Sequence, residues 1–245
     1  MINATVITLD TDWAPDFILS FVADILTKKN IKATWFITNN SPYLEKLKKN
    51  HLFELGIHPN FELNSTQGKD PNSVMTYLKK IVPNAKSSRS HSLFQSSKIF
   101  LMFRKYGIEN DVSLFLPNTI ILQPHYLKFA QLYRFPFRWE DDIYLMENNT
   151  IDIDVNKIPG LNIFNFHPIH IYLNSNSMYN YEQLKSTVGL NNLSQKNTDK
   201  YVNDGQGIRT FFSKLLDSLE TGTVHTIMEL QSLYNKSIIS REKSC

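Results

Sequence analysis

The 245-residue chain predicts an α/β fold with a largely parallel sheet, open or closed into a barrel. Three observations lead there. Short apolar stretches with strand character alternate with segments of helical periodicity. Polar residues with chemical capability gather where the strands end, which is where α/β folds place their ligands. A hydrophobic fraction of 42% over this length supplies a sizeable core.

In chain order, "ATVITL" (4–9) reads as the first strand and "PDFILSFVADILTKKN" (15–30) as the first helix. Phe17, Ile18, Phe21, Val22, Ile25 and Leu26 recur at helical spacing, and Pro15 suits a first turn. "IKATWFI" is the next strand, "PYLEKLKKN" a helix, "LFELGIH" a strand and "DPNSVMTYLKKIV" a helix. "AKSSRSHS", "DVSLFL", "NTIILQ", "LYRFPFRW", "IDIDV" and "LNIFNFH" follow as strand candidates, with "SSKIFLMFRKYG" a helix between the first two. Residues 174–206, rich in Asn, Ser and Gln, read as a polar, lid-like excursion. "GIRTFFSKLLDSLETG" closes as a helix ending at Gly222, and "VHTIMELQSLY" adds a short strand and a last helix. Neither a repeat of fixed period nor a linker interrupts the chain, so a single domain over 1–245 is expected.

The formal charge of +3, from 26 basic and 23 acidic residues, is spread along the chain and argues against nucleic acid as a partner. The lone cysteine, Cys245, supplies no disulfide framework and no thiolate metal site, so a metal would be held by oxygen and nitrogen. No signal-like N-terminus and no apolar run of membrane-spanning length is present, which makes the cytoplasm the expected compartment. Oligomeric state is not legible.

The first strand runs into "DTD". Residues two apart on a strand share a face, so Asp10 and Asp12 would sit about 6–7 Å apart and repel unless a cation lies between them. The third strand ends at His58, "SRSHS" brings Arg89 and His91, and "FNFHPIH" brings His167 and His170. Four of the seven histidines thus fall at strand ends, whereas His51, His125 and His225 read as structural. A pair of capping aspartates is the competing explanation for Asp10 and Asp12.

In order, "ITLDTD", "ATWFIT", "ELGIH", the arginine of "SRSHS" and "NIFNFHP" resemble the motif series of the polysaccharide deacetylases, the NodB-type carbohydrate esterases. "FELGIHPNF", "RSHSLFQS", "FRWEDD" and "FHPIHIYLN" are most similar to the WbmS-like subgroup, associated with surface polysaccharide synthesis. The resemblance runs from the N-terminus to about His170, and "GTVHTIMEL" resembles the family's closing strand and helix. It implies a distorted (β/α) barrel and metal-dependent removal of an acetyl group from an N-acetylated sugar.

By position the resemblance makes Asp10 the general base, Asp12 a metal-binding carboxylate, His58 a metal ligand, Arg89 the orienter of the base and His167 the general acid. The family's His-x-x-x-His motif is broken here, because Glu62 stands four residues after His58. Glu62, Asn60 and His91 compete as third ligand. If "SRSHS" is extended, His91 shares a face with Arg89, which favours His91. An Asp and two His suit zinc, with an open position for water. Trp139 is expected as an apolar wall for the sugar and His170 as a second substrate contact, while Glu140 and Asp141 either orient neighbours or are solvated. The expected substrate is a nucleotide- or lipid-linked amino sugar of a surface polysaccharide. Two readings compete: a glycan-binding protein that has lost catalysis, with Glu62 as the symptom, and an amidohydrolase acting on a small non-sugar amide.

Overall fold

The computed structural model describes residues 1–147, 158–220 and 222–242. Its centre is three parallel strands, β1 (Ala4–Asp10), β2 (Ala33–Ile37) and β3 (Phe53–Ile57), joined by α1 (Asp16–Lys28) and α2 (Leu44–Lys49). After β3, α3 (Pro71–Ile81) begins with Pro71 in its first turn and the Asp70 carboxylate accepting from the amides of Asn72 and Ser73. It leads to β4 (Ser87–Ser88), α4 (Ser97–Lys105) and β5 (Asn110–Asp111). The antiparallel pair β6 (His125–Leu127) and β7 (Leu132–Arg134) precedes β8 (Trp139–Glu140), α5 (Asp141–Met146) and β9 (Leu161–Phe166). The chain ends in α6 (Pro168–Leu173), α7 (Tyr179–Thr187), α8 (Gln195–Thr198), α9 (Ile208–Ser218) and α10 (Ile227–Glu242).

Among the described residues the strands form one sheet in the order β6-β7-β5-β4-β3-β2-β1-β9-β8, parallel except at β6-β7. It curls into a half-barrel whose ends share one stretch of chain. Within 132–140, Phe137 donates its amide to Leu114 O beyond β5, and the next residue, Arg138, donates to Ile163 O of β9. The expected distorted (β/α) barrel is therefore the architecture found.

Side-chain alternation sorts each strand between two cores. Ile7, Leu9, Trp35, Ile37, Phe164 and Phe166 face outward onto helix residues such as Ile18, Val22, Leu26 and Phe212. Val6, Phe36, Val112, Phe135, Phe137 and Ile163 fill the interior, where α10 closes the amino end of the sheet with Ile227 and Leu230. Gly56 on β3 is required there: a Cβ would lie 2.6 Å from Ser87 O and 2.8 Å from the Phe36 ring. The carboxyl end of the barrel is left to polar residues.

Several expected strands are shorter or absent. "AKSSRSHS" supplies only β4, and "DVSLFL" only Asp111 of β5 and a single bridge from Phe115 to Phe137. Among the described residues only Leu122 of "NTIILQ" finds a bridge partner, Gly160, and Ile120 is 80% exposed. "LYRFPFRW" divides around Pro136 into β7 and β8, while β6 lies outside every expected strand. The strand expected in "VHTIMELQSLY" is one bridge between Val224 and Thr5. "IDIDV" and Cys245 lie outside the described residues. The 174–206 excursion carries α7 and α8, and Asn174 and Asn203 tie its two ends together through each other's backbone carbonyls. No described helix is long and apolar enough to cross a membrane.

Candidate active site

Asp10 is the last residue of β1 and is buried in the barrel mouth. Arg89, one residue beyond β4 and fully buried, donates from Nη1 to Asp10 Oδ1 at 3.1 Å and to Thr8 Oγ1 at 2.9 Å, and from Nε to Val112 O at 3.0 Å. Its guanidinium lies between the Phe36 and Phe137 rings, 4.8 and 4.4 Å from their centroids. The other Asp10 oxygen accepts from Asn165 Nδ2 at 2.8 Å.

Asp12 reaches the same cleft by a different route from the one its spacing suggested. It lies beyond the strand, with φ of 37° at Asp12 and 58° at Trp13, so a tight left-handed turn aims its carboxylate. Thr11 and Thr38 pin this turn: Thr11 Oγ1 bonds Phe36 O, and the Trp13 amide donates to Thr38 Oγ1. His91 departs likewise. "SRSHS" is not extended through His91, which opens a short turn with its amide on Pro59 O. His58 follows β3 directly, and its carbonyl is held by the buried Gln67, which also bonds Thr38 O.

These three residues converge. Asp12 Oδ1 lies 3.2 Å from His58 Nε2 and 3.4 Å from His91 Nδ1, and the two ring nitrogens are 3.3 Å apart. Ligands about 2.0–2.1 Å from a tetrahedral ion stand about 3.3–3.4 Å from one another, so the triangle has the size a zinc ion needs. Asp12 Oδ1 is buried without a hydrogen-bond partner, which a cation would supply. Burial opposes charge on Asp12, yet the contacts with His58 and His91 outweigh it and hold the carboxyl well below the usual range. The donor set thus fits one divalent metal. The alternatives for the third position do not converge: Asn60 Oδ1 is taken by the Glu62 amide, and Glu62 is exposed.

His167, immediately after β9, presents Nε2 at 3.5 Å from Asp12 Oδ2. Its Nδ1 is 2.6 Å from Asp141 Oδ1, while Asp141 Oδ2 accepts the His167 amide at 2.7 Å. Burial alone would depress the imidazole, but the charges of Asp141 and Asp142 and the Asp141 hydrogen bond hold it well above its ordinary value. Asp141 is fully buried, so it orients His167 and is not solvated. Glu140 lines the cleft beside Asp10, Asp12, His58, His91 and His167, and the cleft encloses about 190 Å³.

Two expected substrate contacts are placed elsewhere. Trp139 is 6% exposed, packs on Phe166 and Phe211 at 4.8 and 5.0 Å, and lines a neighbouring cavity of about 380 Å³ that shares Glu140 and Ile143 with the cleft. His170 is buried behind His167 in α6, shares a hydrogen bond with Ser175 Oγ, and is pushed down to about 3 by burial and then by the His167 charge. An aromatic ring does stand against the triad: Trp13, edge-on to His91 at 5.4 Å. Asn165, Thr8 and Gln67 join the site without belonging to any of the motifs' candidate residues. The period-two relation of Asn165 to His167 and of Thr8 to Asp10 was the available signal.

The WbmS-like polysaccharide deacetylase family matches residues 7–185. The crystal structure of WbmS from Bordetella bronchiseptica, assigned as a polysaccharide deacetylase involved in O-antigen biosynthesis, is similar at 34% identity. That likeness covers 87% of this chain and 89% of the other, with a TM-score of 0.80. The 4-α-glucanotransferase of Thermococcus litoralis (12% identity, 94% of this chain and 38% of that one, TM-score 0.55) shares the fold alone. So does a protein of Mycobacterium smegmatis assigned as a polysaccharide deacetylase (12%, 96% and 91%, 0.51). No curated protein matches the chain. With the family's pattern over most of its length and a relative this similar, the chain belongs to the WbmS-like polysaccharide deacetylase family.

Proposed function

We propose that the protein hydrolyses the acetamido group of an N-acetylated amino sugar in a nucleotide- or lipid-linked precursor of a surface polysaccharide, with one divalent metal ion, zinc by preference. The observation that carries this reading is the position of the Asp12–His58–His91 triangle between two prepared proton-transfer groups, Asp10 with Arg89 and His167 with Asp141. The role of the Bordetella relative in O-antigen synthesis supports the substrate class.

Amide hydrolysis needs a base for the attacking water, charge stabilisation at the carbonyl oxygen and an acid for the departing nitrogen. Held by Asp12, His58 and His91, the metal ion would polarise the carbonyl and acidify a bound water. Asp10 takes the water's proton; Arg89 and Asn165 each bond one of its oxygens and fix the orientation of the carboxylate. His167 holds Nδ1–H toward Asp141 and so keeps Nε2 directed at the cleft, where it delivers a proton to the nitrogen as the C–N bond breaks. The cleft is smaller than the roughly 300 Å³ at which drug-sized pockets begin, which suits the acetamido end of a larger molecule.

Acetate release from UDP-N-acetylglucosamine, followed in the parent and in Asp10→Asn and His167→Ala, tests the assignment. Losses of about 10²–10⁴-fold in kcat are expected for each. An Asp10→Asn variant with parental turnover would remove Asp10 as the base.

A further inference from the structure

We propose that the cavity beside the catalytic cleft is a phosphate subsite, in which Arg138 holds the diphosphate on C1 of an activated amino sugar. The inference rests on the deacetylase reading of the cleft and deepens it. The cavity encloses about 380 Å³ and shares Glu140 and Ile143 with the cleft, so the two spaces meet along one wall. In a 2-acetamido sugar the carbon that bears the phosphate is bonded to the carbon that bears the nitrogen. A phosphate subsite must therefore adjoin the acetamido site, as this cavity does.

Arg138 is half-buried on the cavity wall, just before β8. Its guanidinium donates twice to Leu161 O and once to Thr119 O, each at 3.4 Å. These bonds are longer than the usual range of about 2.7–3.2 Å and use three of the five N–H groups of a guanidinium. Among the described residues no carboxylate pairs with it: Glu140 and Glu147 share the cavity wall, yet burial alone moves the Arg138 pKa, downward, and no acid opposes it. A cation withdrawn from water without a counter-charge is costly, and a bound anion would relieve it. Trp139 and Tyr144 point to the same chemistry. Both line the cavity, and Trp139 Nε1 and the Tyr144 hydroxyl are buried without hydrogen-bond partners. Unmatched donors around a cation select a ligand rich in acceptors, which a diphosphate is. Phe115, on the same wall, offers an aromatic face to what the diphosphate carries, a nucleoside or a polyprenyl chain.

Isothermal titration of the metal-loaded protein with UDP, inorganic pyrophosphate and farnesyl diphosphate tests this without turnover. The parent should bind at least one of them, and Arg138→Gln should raise that Kd by about 10- to 100-fold, the worth of a charged hydrogen bond. UDP binding tighter than pyrophosphate would support the subsite with a nucleotide as carrier, and farnesyl diphosphate binding tighter than UDP would support it with a lipid. Equal Kd values in the parent and Arg138→Gln, or no binding of any of the three, would overturn it. If Arg138→Gln does not fold, Asp12→Ala decides, because it removes a proposed metal ligand and leaves the cavity. Retained binding of the same probe supports the subsite, and lost binding assigns the phosphates to the metal and overturns it. Failure of the deacetylase reading would appear separately, as Arg138-dependent UDP binding with no acetate released from UDP-N-acetylglucosamine.

Discussion

Replacing Asp141 by Asn changes one charge at almost constant volume, in a place where every neighbour is a donor. Asp141 is fully buried; Oδ1 meets His167 Nδ1 at 2.6 Å and the Asp142 amide at 3.0 Å, and Oδ2 meets the His167 amide at 2.7 Å. An asparagine NH₂ on either side must confront an N–H, leaving a buried donor unmatched at about 1–3 kcal/mol of stability. The larger effect is on the acid. Burial alone would lower the His167 pKa, and Asp141 is foremost among the groups that raise it. Because the proposed acid must be protonated, activity is present below the raised pKa and lost as pH rises through it; Asp141→Asn brings that loss to lower pH. Losing a general acid costs about 10²–10⁴-fold in kcat, or about 3–5 kcal/mol in the barrier. The assay is kcat for acetate release against pH, with bound metal measured on the same samples. A neutral-pH kcat within roughly threefold of the parent, with an unmoved alkaline limb and intact metal, would refute the role given to the dyad.

Arg89→Ala leaves Asp10 buried without its cation and empties the space between Phe36 and Phe137. A loss of about 3–5 kcal/mol is expected, seen in calorimetry as a Tm lower by roughly 6–20 °C. Gly56→Ala forces a Cβ against the Ser87 carbonyl and the Phe36 ring and should cost about 1–3 kcal/mol in urea unfolding. Glu62→Ala should keep the parent's metal content, whereas His91→Ala should lose most of it; the reverse would move the third ligand to Glu62.

Much of the barrel was legible because its strands carry their instructions locally. β1, β2 and β9 are runs buried on both faces at all but one position, β3 is buried only over its last two residues, and α1 has an uninterrupted apolar stripe. "NTIILQ" has strand composition, yet among the described residues it makes one bridge, from Leu122, and Ile120 and Ile121 remain exposed. β6 escaped notice because its three residues are largely exposed and gain their order from the antiparallel pairing with β7. Asp12 and His91 were brought to the cleft by an argument from strand periodicity, yet both sit on turns with positive φ at or beside them. Turn conformation of that kind is set by contacts distant in sequence, such as Thr38 on Trp13. Asp141 was visible only as one of two alternatives, because its partner His167 is 26 residues away. Trp139 shows the converse: a tryptophan in a motif-like segment whose place was decided by Phe166 and Phe211.

The proposed chemistry depends on Asp12, His58 and His91 together holding a divalent metal ion. Elemental analysis of the purified parent protein beside Asp12→Ala and His58→Ala tests it directly. About one transition-metal ion per parent chain is expected, with most of it lost in both variants and folding retained by circular dichroism. A folded parent that takes up no metal after reconstitution, or variants that keep it, would remove this triad as the metal site and bring forward a deacetylase-like protein that binds glycans without hydrolysing them.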